Sequence, residues 1–226
     1  MKKLSILLPL LISIAFAQIP IEEKLFIKKF FNKKQCDQII DKTYYEICYN
    51  YKAKGANYVY YVLDGSKVNK GNIKERPRFY DELKLPRNYR TKHSDYTRNQ
   101  YKMDRGHLAN DASFDWSEKS LKSTYSMANV IPQYKNINRY TWIKAEKLER
   151  LVATKLGKVS VLNSVIYSNS PKTIGRNKVA VPKAFWKMIF NKEKNYERCF
   201  YYENIIGLKT RGDKLKDHEV ECNSLY

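Results

Sequence analysis

Four segments rich in β-forming residues constrain the fold of this chain more than any other feature of its sequence. They are residues 57–63, 159–167, 184–190 and 196–206. Asp64-Gly65 is a turn signal at the end of the first segment, and residues 142–156 have apolar residues at helical spacing. Segments of both kinds in 226 residues predict one α+β domain, with an antiparallel central sheet flanked by helices.

Two further segments complete the predicted organisation. Residues 22–31 have the periodicity of a helix. Residues 73–97 are polar and contain Pro77 and Pro86, so this stretch is expected to be mostly loop. The sequence contains no internal repeat, low-complexity tract or interdomain linker.

The first 17 residues have the composition of a signal peptide. Lys2 and Lys3 precede an apolar run, and Ala15-Phe16-Ala17 places small residues at the two positions that a signal peptidase inspects. A transmembrane anchor is the alternative, but a membrane span needs about 20 apolar residues and this run is shorter. We therefore expect cleavage near Ala17 and a periplasmic or secreted protein without a stable membrane anchor.

The chain is strongly basic, with 43 Lys and Arg against 23 Asp and Glu and a formal net charge of +20. Such a charge attracts polyanions and accelerates encounters with them. It does not distinguish nucleic acid from anionic lipid, and a solvated, lysine-rich surface accounts for it equally well. Charge alone therefore leaves the function open.

Export to an oxidising compartment would allow the four cysteines to form disulfides. No pair has C-x-x-C spacing and none has a histidine at metal-ligand spacing, which argues against a zinc site. The sequence-local pairing, Cys36–Cys48 with Cys199–Cys222, closes the shortest loops and is favoured. Spacing alone leaves the other pairings open.

The residues that carry chemistry begin with Asp104-Arg105-Gly106-His107. A histidine between glycine and leucine is most often structural, so residues further along the chain decide its interpretation. Asn138, Trp142, Glu146 and Arg150 are spaced by four and follow one side of a predicted helix. Such a helix can present an amide, a carboxylate and a guanidinium to one cleft. An ordinary surface helix with a Glu–Arg pair is the alternative.

Together these residues resemble the DNA/RNA non-specific endonuclease family of ββα-metal (His-Me finger) nucleases. The likeness consists of Asp104-Arg105-Gly106-His107 followed in order and spacing by Asn129, Asn138, Glu146 and Arg150. It extends upstream to Arg76 and covers residues 58–208. One departure is Tyr140, which stands where a small residue is usual. The resemblance implies a ββα-metal motif at the active site of the predicted fold.

The resemblance also implies a role for each residue in phosphodiester hydrolysis. His107 would be the general base, because a neutral imidazole accepts a proton from water near neutral pH. Asn138 would bind Mg²⁺, or Mn²⁺ in its place, through its side-chain oxygen. Glu146 would orient the water shell of the metal. The phosphate would be bound by Arg76, Arg105 and Arg150. Asn129 would hold the loop that carries the histidine. A direct catalytic role is the alternative for Asn129, and Asp104 is expected to be a structural acceptor.

The implied substrates are DNA and RNA, contacted through the phosphate backbone without regard to sequence. The implied organisation is a signal peptide at residues 1–17, an N-terminal segment with a disulfide at residues 18–57, and an endonuclease domain at residues 58–226. A non-enzymatic, exported nucleic-acid-binding protein is the main alternative function. Hydrolysis of a phospholipid or a nucleotide sugar is a second. The oligomeric state stays open, as does a preference between DNA and RNA.

The remaining histidines and the tyrosines carry weaker signals. His93 and His218 have no comparable sequence context and are interpreted as surface residues. Tyr89, Tyr96 and Tyr101 are the candidates for substrate contacts through ring stacking.

Overall fold

A seven-stranded antiparallel sheet forms the centre of the fold. The computed structural model describes residues 20–68 and 70–226. Its strands are β1 (Gln38–Asp41), β2 (Glu46–Asn50), β3 (Gly55–Asp64), β4 (Asp104–His107), β5 (Val130–Gln133), β6 (Lys158–Ile166), β7 (Thr173–Ile174), β8 (Val179–Ala180), β9 (Ala184–Asn191), β10 (Tyr196–Glu203) and β11 (Glu219–Val220). The sheet order is β1-β2-β3-β6-β9-β10-β11, while β4 pairs with β5 and β7 with β8 in separate two-stranded ladders.

The helices are short, apart from one. They are α1 (Ile21–Lys28), α2 (His93–Tyr96), α3 (Glu118–Thr124) and α4 (Trp142–Leu156), and a π-helical turn, Ile137–Thr141, leads into α4. Single 3₁₀ turns lie at Arg87–Tyr89, Asp111–Ser113, Met127–Asn129, Leu215–His218 and Cys222–Leu225. Gly157 ends α4 with a positive φ of 83°, a conformation that glycine adopts without strain.

The predicted α+β class and antiparallel sheet are confirmed. The four β-forming segments are β3, β6, β9 and β10, which lie next to one another in the sheet, and residues 142–156 are helical as predicted. Residues 73–97 are irregular apart from the turn at Arg87–Tyr89 and the four residues of α2. The long segments were predictable because their own periodicity determines them.

Helices α4 and α1 cover opposite faces of the sheet. Phe185 of β9 lies in the same buried cluster as Ala145 of α4. The next residue, Trp186, packs instead with Phe30, which follows α1. Because successive side chains of a strand point to opposite faces, a strand covered on both sides is apolar throughout, as the run from 184 to 190 nearly is.

The ladder of β4 and β5, followed by α4, gives the expected ββα arrangement. His107 ends β4 and lies opposite Val130 at the start of β5. A Cβ atom added to Gly106 would lie 2.1 Å from Oε1 of Gln133 on the facing strand. The absence of a side chain at Gly106 therefore leaves room for the buried side chain of Gln133.

Both disulfides have the favoured, sequence-local pairing. Cys36–Cys48 ties the segment before β1 to β2, and Cys199–Cys222 ties β10 to the C-terminal turn. Residues 18–57 contribute β1 and β2 to the central sheet, where β2 pairs with β3 and β1 pairs with β2. The expected signal peptide, residues 1–17, lies outside the described residues. Within the described part of the chain, no helix has the length and apolarity that crossing a membrane requires.

Each disulfide should stabilise the protein by restricting the unfolded chain. The bridged cysteines are 12 and 23 residues apart, for which loop-closure entropy gives about 3 kcal/mol per bridge. The paired variants Cys36→Ala/Cys48→Ala and Cys199→Ala/Cys222→Ala should each lose about that much free energy of unfolding in urea titrations. A loss below about 1 kcal/mol in either variant would show that the bridge does not constrain the unfolded chain.

Candidate active site

His107 lies at the end of β4, enclosed by two aromatic rings. The ring of Phe79 stacks on it at 5.3 Å between centroids, and the ring of Tyr125 meets its edge at 5.0 Å. Its Nε2 atom is buried and has no hydrogen-bond partner among the described residues. Burial lowers the pKa of His107, an effect that Asp111 opposes and that the Arg76 guanidinium reinforces. The imidazole is therefore neutral at pH 7.

Asn129 holds the loop that follows His107. Its Oδ1 accepts from the backbone N–H of Ala109 at 2.9 Å, and its Nδ2 donates to the carbonyls of Ala109 and Thr124, each at 2.9 Å. Its own carbonyl accepts from the N–H of Leu108 at 3.0 Å. The side chain is fully buried and these bonds use its polar atoms, so the geometry is that of a positioning residue.

Asn138 lies in the π-helical turn before α4, with the orientation of its amide fixed. Its Nδ2 donates to Oδ2 of Asp104 at 3.1 Å, which leaves Oδ1 as the free acceptor of the amide. Arg139 binds the same carboxylate with Nε at 2.7 Å and Nη2 at 2.9 Å. Burial would raise the pKa of Asp104, but the bonds from Arg139 and Asn138 hold it below its usual value. Asp104 is thus an ionised acceptor that aims Asn138.

The three expected phosphate-binding arginines have different surroundings. Arg76 is held by two carboxylates, with Nε 3.3 Å from Asp111 and Nη2 3.5 Å from Asp115. Arg150 donates from Nη1 to the neutral amide of Asn110 at 3.0 Å. Arg105 lies over an aromatic ring, 5.3 Å from the centroid of Phe79. Arg105 and Arg150 therefore keep donors and charge that are available to an anion.

Glu146 is partly buried on α4. Burial raises its pKa to about 8; Lys187 and Arg150 oppose the rise, and the carboxylates of Glu149 and Asp111 add to it. In the absence of a cation, this carboxyl is therefore largely protonated at pH 7. A positive charge placed beside it would shift the balance towards the carboxylate.

A buried ion pair between Glu149 and Lys187 lies beneath this region. Both side chains are 0% exposed. Glu149 also accepts from the hydroxyls of Tyr61 at 2.9 Å and Ser113 at 2.8 Å, and from the amide of Asn110. The network ties α4 and two strands of the sheet to the loop after His107, and Asn110 connects it to Arg150.

Residues that the sequence left unassigned occupy this site. Asp111 affects the pKa of both His107 and Glu146, binds Arg76 and accepts from the hydroxyl of Tyr125 at 2.8 Å. Of these residues, only the buried Glu149–Lys187 pair could have been found from the sequence. Lys187 interrupts an apolar strand, and Glu149 lies four residues after Ala145 on the buried side of the helix.

Trp142 does not share the cleft with its neighbours at four-residue spacing. It is fully buried and meets Phe185 at 4.9 Å and Tyr202 at 5.3 Å between ring centroids. Residues that drift around a helix at this spacing span too wide an arc for one face. Asn138, Glu146 and Arg150 are the members of the series that are only partly buried.

The interpretation of His218 as a surface residue is wrong. Its Nε2 is 2.6 Å from Oδ1 of Asp213, and its ring stacks on Tyr202 at 4.3 Å. Lys144 of α4 binds the same Asp213, so His218 belongs to the packing of the C-terminal segment. Tyr202 is distant from His218 in the sequence and Asp213 lies in an irregular segment, so no sequence periodicity indicated these contacts.

His93 is exposed, as predicted, but it lies beside the active site: its Nε2 is 3.4 Å from Nη2 of Arg105. The candidate tyrosines fit base stacking less well. Tyr96 is 3% exposed, and Tyr89 already stacks on Tyr51 at 4.0 Å. Tyr101 packs at the edge of a small core cluster and stays a prediction.

The donors of the site suit a hydrated Mg²⁺ ion. Among the described residues, no group of three or more His, Cys, Asp or Glu could hold a metal. Mg²⁺ usually keeps several of its waters and needs few protein ligands, most often oxygens. The free Oδ1 of Asn138 is such a ligand, and Glu146 is a carboxyl that a nearby cation would ionise. The residues present therefore fit this ion.

Comparison with known proteins gives a consistent result. The chain matches the family model described as DNA/RNA non-specific endonuclease over residues 22–224. Human mitochondrial endonuclease G is 27% identical over 164 residues, 67% of this chain and 54% of that protein. A salivary endonuclease of Lutzomyia longipalpis is 25% identical over 198 residues, 76% of this chain and 48% of that protein. The chain thus spans about half the length of these curated relatives.

A solved structure shares the fold. A chain in the crystal structure of the EndoG/EndoGI complex superposes with a TM-score of 0.75, at 22% sequence identity, over 83% of this chain and 82% of that chain.

The buried ion pair predicts a large and asymmetric response to mutation. Glu149→Gln leaves the Lys187 charge buried without a counterion and should cost about 3–5 kcal/mol of unfolding free energy in urea. Glu149→Gln/Lys187→Met removes the stranded charge and should recover most of that loss. Lys147→Met, at an exposed position of the same helix, is the control and should change stability by less than about 0.5 kcal/mol. If Glu149→Gln were as stable as the Lys147→Met control, the two buried charges would not depend on each other.

Proposed function

The chain belongs to the DNA/RNA non-specific endonuclease family, and on that premise we propose that it is an exported nuclease that hydrolyses phosphodiester bonds of DNA and RNA. The observation that carries the proposal is the condition of His107: neutral, held between two rings, with a buried ring nitrogen that has no partner among the described residues. A non-enzymatic binding protein has no need of such a residue.

His107 acts as the general base. Since burial disfavours its charged form, its pKa lies below the ordinary value, and the imidazole is lost as a base only in acid. It accepts the proton of the attacking water, while Phe79 and Tyr125 limit rotation of the ring. Asn129 acts by holding the loop after the histidine in place.

Arg105 and Arg150 bind the scissile phosphate and stabilise the charge that develops on it. Arg76 reaches the same region, with its guanidinium held by Asp111 and Asp115. Contacts of this kind go to phosphate and carry no information on base sequence, which supports a substrate range that covers both DNA and RNA. The net charge of +20 favours encounter with either polymer.

Asn138 and Glu146 form the cation site of the proposal. Asn138 would hold Mg²⁺, or Mn²⁺ in its place, through Oδ1, and Glu146 would orient the surrounding water. The bound ion would supply Lewis-acid stabilisation of the phosphate and of the leaving 3′ oxygen. Asp104 fixes the amide so that Oδ1 stays available.

Export is supported by three independent features. The N-terminal sequence has the pattern of a signal peptide, both disulfides need an oxidising compartment, and one relative is named a salivary endonuclease. The protein would therefore act in the periplasm or outside the cell.

Variants of the proposed base and of the proposed metal ligand should lose activity for different reasons. His107→Ala should fold, bind DNA and bind Mg²⁺, while its rate falls by roughly 10²–10⁴, the usual contribution of a positioned general base. Asn138→Ala should weaken metal binding, so that excess Mg²⁺ restores part of its activity. Free imidazole should rescue the first variant, by entering the vacated space, and leave the second unchanged.

The measurement is the initial rate on plasmid DNA as a function of Mg²⁺ concentration, with and without imidazole. Turnover near the wild-type rate in His107→Ala at any Mg²⁺ concentration would end the assignment of the general base.

A further inference from the structure

Arg105 carries a positive charge that forms no ion pair in the part of the chain that the structure describes. Its guanidinium lies over the rings of Phe79 and Tyr96, at 5.3 and 5.9 Å from their centroids. Nη2 of Arg105 also lies 3.4 Å from Nε2 of His93. An arginine and a histidine thus lie side by side.

The position of His93 is fixed although its side chain is exposed. The next acidic residue on α2, Asp95, is buried and accepts from the backbone N–H of Lys92 at 2.8 Å. The same carboxylate accepts from the backbone N–H of Asn177 at 3.0 Å and from its side-chain amide. These bonds anchor α2 to a distant part of the chain, so the imidazole projects from a rigid support.

His93 is separated from the general base by one side chain. Phe79 lies 5.3 Å from His107 and 6.1 Å from His93 between ring centroids, and Arg105 lies over the same ring. A phosphate bound between His93 and Arg105 would therefore be a near neighbour of the phosphate at His107.

We propose that His93 and Arg105 form a subsite for a backbone phosphate adjacent to the scissile one, with Arg105 donating to both phosphates and His93 as the second cation of the subsite. The proposal rests on the proposed function, since the occupant is the phosphodiester backbone of the same nucleic acid. Both groups can donate to one phosphate once His93 is protonated, and the exposed edge of the pair is open to a polymer.

Binding at this subsite takes up a proton. Burial, together with the Arg105 charge, lowers the pKa of His93 in the free protein. The groups around it are Arg105 on β4, Phe79 on the preceding loop, and Lys92 and Asp95 on its own segment, where Asp95 is committed to Asn177. A phosphate favours the charged imidazole and raises its pKa, so affinity rises as pH falls between the two values.

The test uses DNA binding without catalysis. Binding of a short duplex to His107→Ala is measured by fluorescence anisotropy in EDTA, at pH 6 and pH 8 and over a range of salt concentrations. The comparison protein is His107→Ala/His93→Gln, and the control is His107→Ala/Ser94→Ala, which changes the exposed neighbour on α2. Melting curves establish that all three proteins are folded.

At pH 6 the His93→Gln protein should bind about tenfold more weakly than the control, the order expected for one charge-assisted contact. Its log–log salt slope should be shallower by about 0.9, for one lost phosphate contact on duplex DNA. At pH 8 the two slopes should coincide. An unchanged pH dependence in the His93→Gln protein would overturn the proposal.

A loss of affinity that is equal at both pH values, without a change of slope, would also overturn it, because His93 would then act only by positioning Arg105. Failure of the proposed function has a separate signature: the unmodified protein would not cleave DNA with Mg²⁺, whatever the binding data show.

Discussion

The ion pair between Glu149 and Lys187 is the interaction on which the arrangement of this protein depends. Both charges are removed from water, so each needs the other, and hydrogen bonds must satisfy what remains. Glu149 meets this demand with hydroxyls of Tyr61 and Ser113 and the amide of Asn110. These contacts fix the distance between the sheet, helix α4 and the loop after the histidine. The arrangement of the candidate site thus depends on how a buried charge is satisfied.

The charges of the site are arranged around Asp111. This carboxylate binds Arg76 and stabilises the charged form of His107, and it also disfavours the charged form of Glu146. Both effects favour the protonated form, so Asp111 contributes to the protonated carboxyl of Glu146, while burial and the Arg76 guanidinium keep His107 neutral against its influence. A cation would compensate the negative charge of an ionised Glu146, and a phosphate would compensate the positive charge of the arginines. Substrate and metal are therefore expected to favour each other's binding.

The sequence predicted what is local and missed what depends on distant contacts. Strands such as β3 and β9 and the whole of α4 follow from their own periodicity, and the spacing of His107, Asn138 and Glu146 indicated the ββα motif through its resemblance to a family. The β1 and β2 strands are only four and five residues long and carry no pattern of their own. The partners of His93 and Asp111 come from other elements, and Tyr140, a departure from the family pattern, is exposed.

The central claim is that the site hydrolyses phosphodiester bonds with a divalent cation and without reading base sequence. The most direct test incubates the mature protein with supercoiled DNA and with single-stranded RNA of unrelated sequence, in Mg²⁺ and in EDTA, and maps the cleaved ends by sequencing. We expect both polymers to be cut at sites spread along their length, with 5′-phosphate ends, and no cleavage in EDTA. Intact substrates in Mg²⁺, or cleavage that persists in EDTA, would contradict the account.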